Sequence, residues 1–86
     1  MKVVFTKTAE KDFLYWKITD RRIFERIKTL IISIREHHPQ GLGKPELLRF
    51  DLRGLWSRRI TEEHRLVYRY SKERIEIVSC RYHYEK

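Results

Sequence analysis

Four consecutive residues near the end of the sequence, Arg81-Tyr82-His83-Tyr84, combine side chains that can act on a phosphodiester. The imidazole of His83 can protonate a leaving 5′-oxygen, because an unperturbed histidine titrates at a pH of about 6.5. The two tyrosines can stack on a base or orient a phosphate. The simpler alternative for His83 is a surface histidine in a frayed terminal segment. These residue types predict a general acid.

A second concentration of charged side chains is the segment Trp56–Tyr68, with three arginines, two glutamates and a histidine. An arginine guanidinium is planar, stays charged and donates two hydrogen bonds to a phosphate. Arg59, Arg65 and Arg81 are therefore candidate contacts to a nucleic-acid backbone, although any one of them alone is more often a solvated surface residue. Arg65 is the preferred transition-state contact, because it lies early in a predicted strand whose geometry can hold it.

Two carboxylates are candidate partners for these cations. Glu46 follows Pro45 at the exit of a glycine-proline loop, where its carboxylate would overhang the sheet and accept the proton of a ribose 2′-hydroxyl. Glu63 lies in a predicted hairpin turn beside Arg65. The simpler interpretations are an exposed loop glutamate and a turn residue paired with an arginine.

The sequence predicts no metal and no cofactor. Cys80 and His83 have a C-x-x-H spacing, but no second pair of ligands has a matching spacing. His37-His38 fits better as a cap that complements the dipole at a helix end. The segment 41–43 lacks the P-loop pattern. Cys80 itself is expected to be a buried strand residue rather than a nucleophile.

The composition limits the class of protein. The 86 residues indicate one domain, 1–86, and a net charge of +8 points to a polyanion or an acidic protein partner, with a merely solvated basic surface as the alternative. A chain this short buries only about 60–65% of its unfolded surface, so a homodimer or a tight partner would add stability. With no apolar leader and no long apolar run, we expect a soluble, cytoplasmic protein that does not contact membranes.

Hydrophobic periodicity predicts the elements that position these residues, in the order β-α-α-β-β-β-β. The fold class is α+β, with two N-terminal helices packed on one face of a mostly antiparallel sheet of about five strands. The opposite face is left for water or a ligand. After an initial strand at 3–5, the predicted later strands are 48–52, 56–61, 64–70 and 74–80.

Alternation within the strand 64–70 assigns its side chains to the two faces. Leu66, Tyr68 and Tyr70 are predicted to face the helices. The other parity forms an open, cationic face, and its members are Arg65, Val67 and Arg69.

The segments Gly43–Leu48, Leu52–Tyr68 and Cys80–Tyr84 resemble the YoeB toxins, the Txe/YoeB branch of the RelE superfamily. Leu14-Tyr15-Trp16 and Thr19–Ile23 fit the same pattern. Members of this family are toxins of bacterial type II toxin–antitoxin systems with a fold similar to microbial ribonucleases. They cleave mRNA in the ribosomal A site and so inhibit translation.

The resemblance implies a metal-independent endoribonuclease that uses the 2′-hydroxyl as its nucleophile. It implies these roles: general base Glu46, transition-state contact Arg65, general acid His83 and supporting aromatic Tyr84. The predicted RNA or phosphate contacts are Lys44, Arg49, Arg59, Glu63 and Arg81. Familiar members carry lysine at position 49 and typically stop at the residue matching Tyr84, whereas Glu85-Lys86 follow here. The implied partners are an acidic antitoxin of YefM type, mRNA and the ribosomal A site.

Two other functions stay open on the residues alone. A non-catalytic RNA- or ribosome-binding module would share the charge and the aromatics but need no acid–base pair. A basic domain with only protein partners is the third possibility, and salt-sensitive RNA binding would count against it.

Overall fold

The computed structural model describes residues 1–82, which form two helices packed against a five-stranded mixed sheet. The elements in chain order are β1 (Lys2–Phe5), α1 (Lys7–Thr19), α2 (Arg21–His37), β2 (Glu46–Leu47), a 3-10 turn (Phe50–Leu52), β3 (Trp56–Arg59), β4 (Arg65–Tyr70) and β5 (Arg74–Ser79). The predicted α+β class is confirmed. None of the helices in the described range is long and apolar enough to cross a membrane.

Both helices begin at side-chain caps, Thr6 for α1 and Asp20 for α2. The Thr6 hydroxyl accepts the Ala9 N–H at 3.1 Å, and the Asp20 carboxylate accepts the Arg22 and Ile23 N–H groups at 3.0 and 3.3 Å. These bonds satisfy amides that would otherwise lack partners in the first helical turn. Asp20 also ends α1, so the two helices are joined through a single residue.

The strand order is β1-β5-β4-β3-β2. The pairs β5–β4, β4–β3 and β3–β2 are antiparallel, and β1 lies parallel to β5 at one edge. The turns joining β3 to β4 and β4 to β5 are short, as antiparallel neighbours allow. This order places β4 at the centre, between β3, which carries Arg59, and β5, which precedes Arg81 in the chain.

The helices cover one face of the sheet with the main hydrophobic core. Leu66 and Tyr68 are fully buried in it with Ile27 and Leu30 of α2, and Tyr70 packs against it, as the strand parity predicts. Val67 has the opposite parity and lies in a second cluster, whose other members are Leu48, Leu55, Leu52 and Val78. The far face is therefore only partly open, because the segment 48–55 folds over one end of it.

The predicted strand at 48–52 is wrong. Pairing stops at Leu47, and Phe50–Leu52 form a 3-10 turn in which Phe50 has a left-handed φ of 58° and is 87% exposed. Leu48 and Leu52 do share a face, because both pack into the second cluster. Alternation between apolar and polar residues is equally compatible with such a turn, so the period alone did not separate the two structures.

A fully buried arginine joins β3 to α2 and to the loop before β2. The Arg58 side chain donates to the Gln40 and Leu42 carbonyls at 2.7 and 2.9 Å, and to the Ser33 and Tyr68 hydroxyls at 3.1 Å each. No carboxylate of the described residues pairs with it. The planar guanidinium therefore fixes the loop through neutral acceptors alone.

Arg58→Met should lower the free energy of unfolding by about 3 kcal/mol, because two buried carbonyls and two hydroxyls lose a charged donor. Arg69→Met is the matched control, since Arg69 is exposed and its bond to Glu76 is at the surface. That change should cost less than about 1 kcal/mol. Urea unfolding of both variants measures the difference, and equal costs would contradict the role given to Arg58.

Candidate active site

The open part of the far sheet face carries a carboxylate on its edge strand. Glu46 pairs in register with Ser57, and Ser57 pairs with Val67, so these three residues form one row across β2, β3 and β4. Directly paired residues project from the same face of a sheet. Glu46 is exposed, and it also lines a pocket of about 410 Å³ formed with residues 47–52. The structure therefore leaves the Glu46 carboxylate accessible above this row.

Two arginines form the next row on the same face. Arg59 of β3 pairs in register with Arg65 of β4, two residues along from the row of Glu46. Paired residues have Cβ atoms about 4.5–5.5 Å apart, and two residues advance a strand by about 7 Å. No ion pair within residues 1–82 joins either arginine to a carboxylate. The two cations thus stand opposed beside an accessible carboxylate, an arrangement that suits a bound phosphodiester.

The loop that delivers Glu46 requires glycine at position 43. Gly43 has a φ of 84°, and a Cβ there would lie 2.9 Å from Leu30 Cδ2 and 3.1 Å from the Arg59 carbonyl oxygen. Its own carbonyl accepts the Arg59 N–H at 2.7 Å. Lys44 follows with a left-handed φ of 51°, which places an exposed ammonium next to β2. Close packing at Gly43 therefore fixes the path of the backbone that leads to Glu46.

The end of the described chain is bonded to the start of β4. The Arg65 N–H donates to the Tyr82 carbonyl at 3.0 Å, and the Tyr82 N–H donates to His64 Nδ1 at 2.6 Å. Tyr82 itself has a left-handed φ of 63°. Arg65 and Tyr82 are thus neighbours through the backbone. His83 and Tyr84, the predicted acid and its supporting aromatic, lie outside the described residues.

The remaining predicted contacts lie outside these two rows of residues. Arg49 is exposed beyond β2. Glu63 lies in the β3–β4 turn, with its carboxylate 3.8 Å from His64 Nε2. The Arg81 guanidinium lies 3.7 Å from the centre of the Tyr15 ring on α1 and donates to the Tyr82 hydroxyl at 3.0 Å. Arg81 is therefore engaged with α1, and its contact with RNA stays a prediction.

Burial shifts the pKa values of Cys80 and His38 in opposite directions. Burial raises the pKa of Cys80 to about 12, with a smaller contribution from Asp12. The thiol therefore stays protonated, as expected of a buried residue. Burial, and then the Arg58 charge, lower the pKa of His38. The predicted helix-end position of His37-His38 is confirmed, since His37 lies in the last turn of α2 and His38 is its C-cap residue. The His38 ring stacks on Tyr70, with 3.9 Å between the ring centres, and its lowered pKa disfavours the charged form that would complement the helix dipole.

Sequence reasoning missed two residues that organise this site, Arg58 and His64. Both have the parity of the helix-facing side, since Arg58 lies between Trp56 and Ile60 and His64 is two residues before Leu66. That parity was a usable signal of burial. Because the segment Trp56–Tyr68 contains many charged residues, charge alone suggested that Arg58 and His64 are exposed.

Comparison with known proteins identifies the family. The model of the YoeB-like toxin of bacterial type II toxin–antitoxin systems matches residues 5–84. The chain belongs to this family. The YoeB toxin of Escherichia coli K12 is 49% identical over 84 residues, which cover 98% of this chain and 100% of the relative. The YoeB toxin of Synechocystis is 43% identical over 86 residues, 100% of each protein.

Solved YoeB structures share the whole fold. The YoeB/ParE toxin from Agrobacterium tumefaciens superposes with a TM-score of 0.94 at 48% identity, covering 98% of this chain and 100% of that one. A chain of the YoeB–YefM complex from Staphylococcus aureus gives 0.90 at 39% identity and covers 98% of both. YafQ of E. coli, at 14% identity and a TM-score of 0.76, is similar in fold alone.

The opposed arginines of this YoeB-family chain predict a stability penalty in the absence of a bound anion. Like charges directly opposite in a sheet are destabilising, so Arg59→Gln should raise the free energy of unfolding by about 0.5 kcal/mol at low ionic strength. Added salt should reduce the gain. Thermal unfolding in two salt concentrations measures both effects.

The matched control is Arg69→Gln. Arg69 of β4 pairs in register with Glu76 of β5, and their side chains are hydrogen-bonded at 3.3 Å. Removing this cation should lower stability slightly or leave it unchanged. If Arg59→Gln destabilises the protein as much as Arg69→Gln does, the opposed arginines are not in repulsion.

Proposed function

We propose that this toxin is a metal-independent endoribonuclease that cleaves mRNA in the ribosomal A site and thereby inhibits translation. The observation that carries the proposal is that the accessible Glu46 carboxylate and the opposed pair Arg59–Arg65 share one sheet face, while the Tyr82 backbone that precedes His83 is hydrogen-bonded to Arg65. Acid, base and anion-binding groups are the parts that phosphodiester transfer requires.

In the proposed reaction, Glu46 accepts the proton of a ribose 2′-hydroxyl. The 2′-oxygen attacks the adjacent phosphorus, and a bond forms between them. Arg65, supported by Arg59, stabilises the added negative charge. The bond from phosphorus to the 5′-oxygen breaks, and His83 donates its proton to that oxygen. The products are a 2′,3′-cyclic phosphate and a free 5′-hydroxyl.

The other predicted site residues bind rather than transfer protons. Tyr84 supports the acid and stacks on a base, as aromatic side chains do on exposed bases. The cations around the face attract the RNA backbone, so RNA affinity should fall with salt. The cations proposed to contact RNA in this way are Lys44, Arg49 and Arg81. Glu63 is the remaining proposed RNA contact.

The partners follow from the same charged face. One solved structure from S. aureus is a YoeB–YefM complex, and another structure from that species is a YoeB dimer. We infer that an acidic antitoxin segment of YefM type folds onto the cations and covers Glu46. A homodimer would leave this function unchanged. Because mRNA and ribosomes are the substrate and its site, the proposed location is the cytoplasm.

Glu46→Gln and His83→Gln should each lower the rate of mRNA cleavage by roughly 10²–10⁴-fold, because each removes one proton-transfer group. RNA binding should remain, since the cations are intact. Cleavage is measured by mapping products on ribosome-bound mRNA, after circular dichroism has shown that each variant is folded.

The matched control is Glu36→Gln, which removes an exposed carboxylate from α2, on the helical side of the molecule. It should cleave at the parent rate. If the Glu46 and His83 variants also cleave at the parent rate, the catalytic roles are wrong. If both variants lose cleavage and still block translation in full, the non-catalytic RNA-binding alternative is correct.

A further inference from the structure

The segment Cys80–Tyr82 is held by contacts that the proposed chemistry does not use. Four side chains make them, and we refer to this set as the tail clamp: Asp12, Tyr15 and Trp16 of α1, and His64 of the β3–β4 turn. The segment that the tail clamp holds lies immediately before His83 in the chain. It is therefore placed to decide where the residues after Tyr82 begin.

Helix α1 holds Cys80 through both of its backbone polar groups. The Asp12 carboxylate accepts the Cys80 N–H at 3.0 Å, and Trp16 Nε1 donates to the Cys80 carbonyl at 2.8 Å. The Arg81 guanidinium then packs over the Tyr15 ring. Because Trp16 and Cys80 are buried, these bonds are shielded from water. The segment is thus fixed to α1 up to residue 81 without any contribution from His64.

His64 holds the next residue. The residue is 8% exposed, and its ring packs edge-on against Trp16, with 4.7 Å between the ring centres. Its Nδ1 accepts the Tyr82 N–H at 2.6 Å, so that nitrogen carries no proton and acts as an acceptor. The turn fixes the backbone of His64, because its carbonyl accepts the Ile60 N–H at 2.9 Å.

Tyr82 needs this support because of its conformation. A left-handed φ of 63° is unfavourable for a residue with a side chain, and such residues persist where their surroundings determine them. The bond to His64 Nδ1 and the bond from the Arg65 N–H engage both backbone polar groups of Tyr82. Together they set the direction in which the chain leaves toward His83.

We propose that His64 is a positioning residue for the general acid. Its Nδ1 fixes the backbone of Tyr82, the residue that precedes His83 in the chain and is hydrogen-bonded to Arg65. The inference rests on the proposed function, in which His83 is that acid. A displacement of a reacting group by about 1 Å costs about 100-fold in rate. His64 would therefore affect the chemical step without touching RNA.

Three substitutions separate the acceptor from the bulk of the ring. His64→Leu keeps a similar volume and removes the acceptor. His64→Asn places an amide oxygen as far from Cα as Nδ1 and so keeps the acceptor. His64→Gln extends the amide to the distance of Nε2 and loses the bond to Tyr82.

The first measurement is single-turnover cleavage of ribosome-bound mRNA. His64→Leu and His64→Gln should lower the maximal single-turnover rate constant by about 100-fold, with the half-saturating concentration nearly unchanged, because the cations that bind RNA stay in place. His64→Asn should stay within about 10-fold of the parent. If His64→Asn is as slow as His64→Gln, the acceptor at Nδ1 has no role and the proposal is overturned. The Asn and Gln pair decides this even if His64→Leu does not fold.

The second measurement uses mRNA whose leaving 5′-oxygen at the cleavage site is replaced by sulfur. A thiolate leaves without a proton donor, so this substrate does not need the acid. His64→Gln should cleave it at close to the parent rate, as should His83→Gln. A purely structural defect in His64→Gln would persist on the sulfur substrate.

The outcomes separate the two hypotheses. If His83→Gln stays slow on the sulfur substrate, His83 is not the general acid and the proposed function fails at that step. If His83→Gln recovers and His64→Gln does not, the proposed acid stands and the positioning role of His64 is wrong. Recovery of both variants supports both.

Discussion

The burial of Arg58 is the constraint on which the rest of the structure depends. A guanidinium cannot lose its charge in a protein core, so it must be surrounded by acceptors. Here these acceptors are the carbonyls of residues 40 and 42 and two hydroxyls from α2 and β4. The loop before β2 is thereby tied to β3. Glu46 is the first residue after that loop. Arg58, on the other side of the sheet, therefore helps to fix the position of the Glu46 carboxylate.

A second link joins the helices to the same face. Trp16 and Asp12 of α1 hold Cys80, and His64 holds Tyr82, so the chain arrives beside Arg65. Lys44 and Tyr82 both have left-handed φ values, and both lie within two residues of a proposed proton-transfer residue. Each such conformation costs of order 1–3 kcal/mol. Strained backbone thus lies close in the chain to both proposed proton-transfer residues, and at Tyr82 hydrogen bonds to His64 and Arg65 support it.

Much of this architecture could be predicted from the sequence, because local physics and the global fold agree there. Short-range rules predict a cap at Thr6 or Thr8, a cap at Thr19 or Asp20, the helix end before Pro39 and the parity of Leu66 and Tyr68. The structure selects Thr6 and Asp20 as the caps. The prediction of a strand at 48–52 was wrong, because alternation of apolar and polar residues shows which side chains share a face and not whether the backbone is paired with another strand. The parallel pairing of β1 with β5 is a long-range property, and no local pattern encodes it.

The sequence predicted the charged residues of the candidate site. It did not predict the buried residues that hold them in place. Glu46, Arg59 and Arg65 stand out because exposed charge at strand positions suggests chemistry. Arg58 and His64 carry the same chemical groups but serve as packing and hydrogen-bonding residues. Arg58 and Arg59 differ in their parity along β3, because neighbouring residues of a strand project from opposite faces of the sheet.

The central claim is that the ribose 2′-hydroxyl is the nucleophile. The most direct measurement is cleavage of ribosome-bound mRNA with a single 2′-deoxy substitution at the mapped cleavage site, beside the unmodified mRNA. The account predicts that the substituted position is not cut, because the attacking oxygen is missing, while the mRNA remains bound. Cleavage of the deoxy substrate at the same bond would contradict the account.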